Sequence, residues 1–217
     1  WRELGRNAVT FYKVGMELFY GAGPDIIRYL KEKDKKVFLD LKLQDIPNTV
    51  AHSLAVLTRL GADIMNVHAV GGPKMMAEGM KAVKEAAAEL GRPAPKLIAV
   101  TVLTSMDEAQ WKPLNYARPI GEEVLDLAAL TKESGLDGVV ASPREAAGIR
   151  ERCGKDFLIV TPGVRPAWAA SNDQAGRHAG SAIGNGSTHL VVGRPITRAE
   201  NKQEAVRKIL EEMEGAF

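Results

Sequence analysis

The chain has 217 residues, 45% hydrophobic and 26% charged, with a formal net charge of +2, which suits one α/β domain over 1–217 and is too weakly basic to argue for nucleic acid or an anionic membrane surface. A single cysteine, Cys153, excludes an intrachain disulfide and a cysteine-based metal site and points to a reducing cytoplasm. No apolar run approaches the ~20 residues that span a bilayer, and the N-terminus shows no signal-peptide pattern. In chain order, strands are predicted at 11–14, 37–43, 64–68, 97–103, 138–141, 157–161 and 189–192. Between them, 47–60 carries Val50, Leu54 and Leu57 on one helical face and stops at Gly61. A second helix opens at Pro73 and ends before Gly91, and a third over 121–134 stops at Gly135. The stretch 201–214 presents Ala205, Ile209, Leu210 and Met213 as a C-terminal helix.

Repeating βα units with short loops imply a parallel sheet, and eight such units in roughly 200 to 250 residues imply a (β/α)8 TIM barrel. Seven strands can be counted. The first strand of a closed barrel is therefore expected to be missing, with the chain beginning inside the first βα unit; a seven-stranded open barrel is the alternative. No linker or second domain is visible.

Residues 37–49 place charge where a structural strand should have none. The run Val37-Phe38-Leu39-Asp40-Leu41-Lys42-Leu43 reads as a strand buried on both faces, yet Asp40 and Lys42 interrupt it two residues apart, so alternation puts both on one face. Asp45 follows just past the strand, and Pro47 opens a helix. Burying such charges costs several kcal/mol even when they pair. They fit either a structural ion pair inside a barrel or a catalytic Asp-Lys-Asp cluster at the carboxyl end of a strand, where α/β active sites sit.

Other strand ends extend this polar set: Lys13, then Asn66 and His68, then Thr104 and Ser105. Gly163 with Arg165, and Gly193 with Arg194, close the last two strands. Glycine amides and bidentate arginines after the final strands of a barrel suit a phosphate. Arg194 also fits an ordinary helix-start arginine. The four histidines lack metal-ligand spacing, and dinucleotide, P-loop and serine-hydrolase motifs are absent. Met75, Met76 and Met80 lie at helical spacing and read as core. Lys13 is a possible Schiff-base amine, but a lysine between carboxylates stays protonated, which suits an acid.

The run Asp40-Leu41-Lys42-Leu43-Gln44-Asp45-Ile46-Pro47-Asn48-Thr49 resembles the signature of the orotidine 5'-monophosphate decarboxylase family. The likeness continues through Tyr12 to Met16, Asn66 to Ala69, Leu103 to Ser105, Gly135 to Gly138, Thr161 to Arg165 and Val192 to Thr197. The Asp-x-Lys-x-x-Asp core is shared with sister barrel enzymes acting on sugar phosphates; the Ile-Pro-Asn-Thr continuation is more specific to the nucleotide enzyme. The resemblance implies conversion of orotidine 5'-monophosphate to UMP and CO2, in de novo pyrimidine synthesis, without metal or cofactor. Lys42 would protonate C6, Asp40 would face the substrate carboxylate and hold Lys42, and Lys13 would bridge Asp40 and a ribose hydroxyl. Asp45, Ile46 and Thr49 would reach the site of a partner subunit, making a homodimer with shared active sites. Thr104 and Ser105 would contact the pyrimidine, and Arg165, Gln174, Gly193 and Arg194 the phosphate. The sequence departs from the family in lacking the aspartate of the first strand and in the Gly-, Ser- and Ala-rich segment 177–187. A sugar-phosphate sister enzyme, which uses Mg²⁺, and a phosphate-binding barrel without activity are the competing readings.

Overall fold

The computed structural model describes residues 9–166, 168 and 178–215, which divide into two compact units. The first comprises Thr10–Thr101 with Leu127–Val139. Its elements run β1 (Phe11–Gly15), α1 (Met16–Ala22), α2 (Asp25–Lys31), β2 (Lys36–Leu43), α3 (Pro47–Leu60), β3 (Ile64–His68), α4 (Pro73–Glu89) and β4 (Lys96–Val100). These four strands pair in chain order and all in parallel, as consecutive βα units must when each crossover is a helix.

The helices form where the apolar period and the end signals agree. In α3, Pro47 occupies the first turn, Val50, Leu54 and Leu57 are buried, and Gly61 ends the helix at φ 97°, a left-handed conformation that costs glycine little. In α4, Pro73 again opens the helix, and Met75, Met76, Met80 and Val83 are buried as the core reading requires. Gly79 lets α4 approach α3: a Cβ there would meet Leu54 Cδ1 at 2.8 Å.

Beyond β4 come α5 (Glu108–Trp111), α6 (Ile120–Glu133) and β5 (Gly138–Val140). They are followed by α7 (Ala146–Cys153), β6 (Leu158–Pro162), α8 (Ala179–Gly184), β7 (His189–Val191), α9 (Arg194–Thr197) and α10 (Lys202–Glu214). Val102–Asp126 and the residues from Val140 onward make up most of the second unit, in which β6 and β7 pair in parallel.

One clamp recurs in both units. After α3 the chain reads Gly61-Ala62-Asp63, and the Asp63 carboxylate accepts from Val37 N at 2.7 Å while Asp63 N donates to Val37 O at 2.9 Å. After α6, Asp137 repeats this with Leu97, at 2.9 Å for both bonds. Past α8, Thr188 does the same for Ile159, with its hydroxyl accepting from Ile159 N at 3.0 Å. Each clamp fixes the register of a new strand against the start of its predecessor, which in turn fixes what stands at the opposite, carboxyl ends.

The fold class is α/β, of the (β/α)8-barrel type. The strand expected over 97–103 is shorter: β4 stops at Val100 because its partner β3 stops at His68, the residue paired with Val100. The apolar run continues past the point where the ladder has anything to bond. The short helices α1, α2, α7, α8 and α9 were not foreseen.

Candidate active site

In the first unit the ladder between β2 and β3 breaks at the predicted charges. Leu39 pairs with Met65, and Leu43 with Val67, so Asp40, Leu41 and Lys42 stand opposite Asn66 alone. Lys42 has φ 53°, a left-handed conformation that costs a side-chain-bearing residue about 1–3 kcal/mol and persists only where its surroundings hold it. The simple alternation expected across Asp40 and Lys42 is therefore replaced by a bulge. It still delivers both side chains to one place: Lys42 Nζ lies 2.6 Å from Asp40 Oδ1.

Asp40 is buried and fully engaged. Its Oδ1 accepts from Lys42 Nζ and, at 2.8 Å, from Asn66 Nδ2, while Oδ2 lies 3.1 Å from Lys13 Nζ. Burial pushes this carboxyl up, but hydrogen bonds from Lys42 and Asn66 and the charges of Lys13 and Lys42 outweigh it, holding Asp40 below the usual aspartate range. Next to the pair, burial and the Lys42 charge push His68 down, with Asp40 opposing, so the imidazole favours its neutral form and adds no third cation beside Lys13 and Lys42. Gly15 pairs with Asp40 across β1 and β2. A Cβ at Gly15 would come within 2.9 Å of Lys13 Nζ, so its bare backbone leaves the space that the ammonium fills.

The other predicted residues fall elsewhere. Asp45, Ile46 and Thr49 are exposed around the start of α3. The Asp45 carboxylate accepts from Ile46 N at 2.7 Å and makes no ion pair with Lys42 among the described residues. The expected Asp-Lys-Asp cluster is therefore, within this chain, a Lys-Asp-Lys cluster of Lys13, Asp40 and Lys42. Sequence reasoning named Asn66 among the polar residues at strand ends and within a motif, and gave it no role of its own. The available signal was one amide set inside the apolar run Ile64-Met65-Asn66-Val67 of a strand.

In the second unit, Thr104 and Ser105 form a turn beyond β4, Thr104 half-buried and Ser105 exposed. Arg165 follows Gly163, which turns the chain at φ 73°, and Arg194 opens α9 directly after its N-cap, Gly193. Both arginine-bearing ends rest on one small core, where buried Val164, Ala179 and Ile209 pack with Val192 and Ile196. Behind them, the buried Thr161 and Ser187 hydroxyls bond at 2.7 Å. Gln174 lies outside the described residues. Among the described residues no group of three or more His, Cys, Asp or Glu side chains is placed to hold a metal ion, and no helix is long and apolar enough to cross a membrane.

A lysine–aspartate pair is thus held by a bulge at a strand end, on a fold of repeated βα units, the place where barrel enzymes carry their active sites. The profile of the orotidine 5'-phosphate decarboxylase / HUMPS family matches residues 2–209. An orotidine 5'-phosphate decarboxylase from Moorella thermoacetica is 51% identical over 205 residues, covering 94% of this chain and 81% of that protein. One from Syntrophotalea carbinolica is 48% identical, covering 100% of this chain and 89% of its own length. The crystal structure of orotidine 5'-phosphate decarboxylase from Lactobacillus acidophilus superposes with a TM-score of 0.86 at 42% identity, covering 98% of this chain and 90% of that one. The chain belongs to the orotidine 5'-phosphate decarboxylase / HUMPS family.

Proposed function

We infer that this chain decarboxylates orotidine 5'-monophosphate to UMP and CO2 in pyrimidine biosynthesis. The observation that carries the reading is the Lys42 ammonium held 2.6 Å from a buried, ionised Asp40 at the end of β2. When the C6–carboxylate bond breaks, its electron pair remains on C6, where the ring offers no adjacent electron sink. A preorganised ammonium stabilises that charge and then delivers a proton to the same carbon. The C–C bond is thereby replaced by C–H, CO2 leaves, and the lysine regains its proton from solvent. Asp40 keeps the ammonium charged and aimed, and it stands where the substrate carboxylate would approach. Lys13, the second cation on Asp40, takes a ribose hydroxyl in this reading.

Arg165 and Arg194, with the Gly193 amide and Gln174, take the phosphate; the shared core under both arginine-bearing ends supports this. Binding energy from that remote group is a natural source of transition-state stabilisation. Thr104 and Ser105 take the pyrimidine. Residues 1–217 act as one catalytic domain, a reading supported by the family match across 2–209. The enzyme works in the cytoplasm as a homodimer in which Asp45, Ile46 and Thr49 enter the partner's site. Their exposure, together with the apolar surface of Met16, Leu18 and Tyr20 on α1, supports this arrangement.

Loss of orotidylate absorbance with EDTA present tests the activity. The reading expects metal-free turnover yielding UMP. Turnover of a sugar phosphate that requires Mg²⁺, or tight UMP binding with no turnover of orotidylate, contradicts it.

A further inference from the structure

The bulge that carries Lys42 leaves that residue's backbone N–H without a ladder partner, because three residues of β2 face one of β3. Asn66 Oδ1 accepts this N–H at 2.8 Å. The other end of the same carboxamide, Nδ2, donates to Asp40 Oδ1 at 2.8 Å, the oxygen that also holds the Lys42 ammonium. Asn66 is 1% exposed, so neither bond is exchanged for water. Only one orientation of the amide satisfies both partners, since flipping it would set oxygen against carboxylate and NH₂ against N–H. One rigid group thus ties the backbone of the proton donor to the carboxylate that aims it.

We propose that Asn66 is the positioning residue of the reaction, fixing Lys42 and Asp40 relative to each other without touching substrate. The proposal rests on the decarboxylase reading of the same site. Among side chains of this length, only the amide makes both bonds without taking up a proton. Alanine makes neither, and a charged aspartate accepts from Lys42 N but repels Asp40. A protonated aspartate makes both, accepting with one oxygen and donating with the other. The titratable groups facing position 66 are Asp40 and Lys42 on β2, Lys13 on β1 and His68 on its own strand, while β4 sets Ile98 opposite it.

The test is Asn66→Asp and Asn66→Ala beside the wild-type chain, with kcat, KM, UMP affinity and Tm followed from pH 5 to 9. Asn66→Ala is expected to lower kcat on the order of 10- to 100-fold at every pH, the scale of a small misplacement of reacting groups, with UMP affinity nearly unchanged. Asn66→Asp is expected near wild type at the acid end and to fall away as pH rises, a limb the wild type lacks. Its Tm relative to wild type should fall over the same range, which reads the coupling without turnover. Wild-type kcat in Asn66→Ala, or a pH-independent loss of both kcat and Tm in Asn66→Asp, overturns the proposal. A wild-type chain that binds UMP but turns over no orotidylate sinks the activity reading instead, and the Tm limb then decides the clamp by itself.

Discussion

The strand end around Asp40 and the two arginine-bearing ends in the second unit solve different problems with different materials. At Asp40 every component is fixed by backbone: a bulge, a left-handed lysine, a buried amide and a bare glycine set the ammonium against its carboxylate. Arg165 springs from a loop and Arg194 from the first position of the one-turn helix α9, and the packed residues beside them are Val164, Val192 and Ile196. A group that is to transfer a proton must be placed to within a fraction of an ångström of its productive position, whereas a phosphate clamp tolerates reach and gains from charge and bidentate geometry.

Mutation should break the two regions differently. The largest effect is expected from Lys42→Ala, which removes the residue proposed as proton donor: kcat should fall about 10⁴-fold while UMP affinity holds, as single-turnover kinetics and calorimetry would show. Arg165→Ala should cost about 3 kcal/mol, on the order of 100-fold in kcat/KM, with Tm unchanged. An unaltered kcat/KM there would remove the phosphate role. The strand clamps give a stability contrast with no catalytic component of their own. Asp63→Ala and Asp137→Ala should each lose about 1.5–3 kcal/mol in urea unfolding, and Thr188→Ala about 0.5–1.5, because a bond to a charged acceptor is worth more than one to a hydroxyl.

The smallest effects sharpen the contrast through pH. Asp40 is held below its usual range by its partners. Its ionisation therefore contributes stability that is complete above the unfolded aspartate value and is lost as pH falls through the lower folded value. Glu145, next to α7 in the second unit, has the opposite sign. Burial raises its carboxyl, more than Ser142 and Arg144 lower it, and its Oε2 is buried with no hydrogen-bond partner among the described residues. The stability it contributes is present below the ordinary glutamate value and is lost as pH rises from there. Glu145→Gln should raise Tm at pH 7 and leave it unchanged at pH 4.

How much of this the sequence disclosed depends on how each feature is encoded. Lys13, Asp40 and Lys42 were legible because charge inside an apolar run has few structural uses. The bulge was not, since alternation assumes a regular ladder, and nothing local marks three residues facing one. Asn66 stayed hidden for the same reason: its importance lies in an N–H that only the broken register leaves unpaired. The barrel class followed from helix–strand alternation, with end signals such as Pro47, Gly61 and Pro73 placing the long helices within a residue. Short helices such as α7 and α9 bury too few residues to leave a period. The end of β4 was overrun because the partner strand, not the apolar composition, decides where pairing stops.

The most direct test of the account is a crystal structure with UMP bound. The expected result is Lys42 Nζ in reach of C6, at about 3 Å, with Asp40 and Asn66 holding their bonds. C6 beyond about 5 Å from Lys42, or facing Lys13 instead, would contradict the assignment of Lys42 as the proton donor.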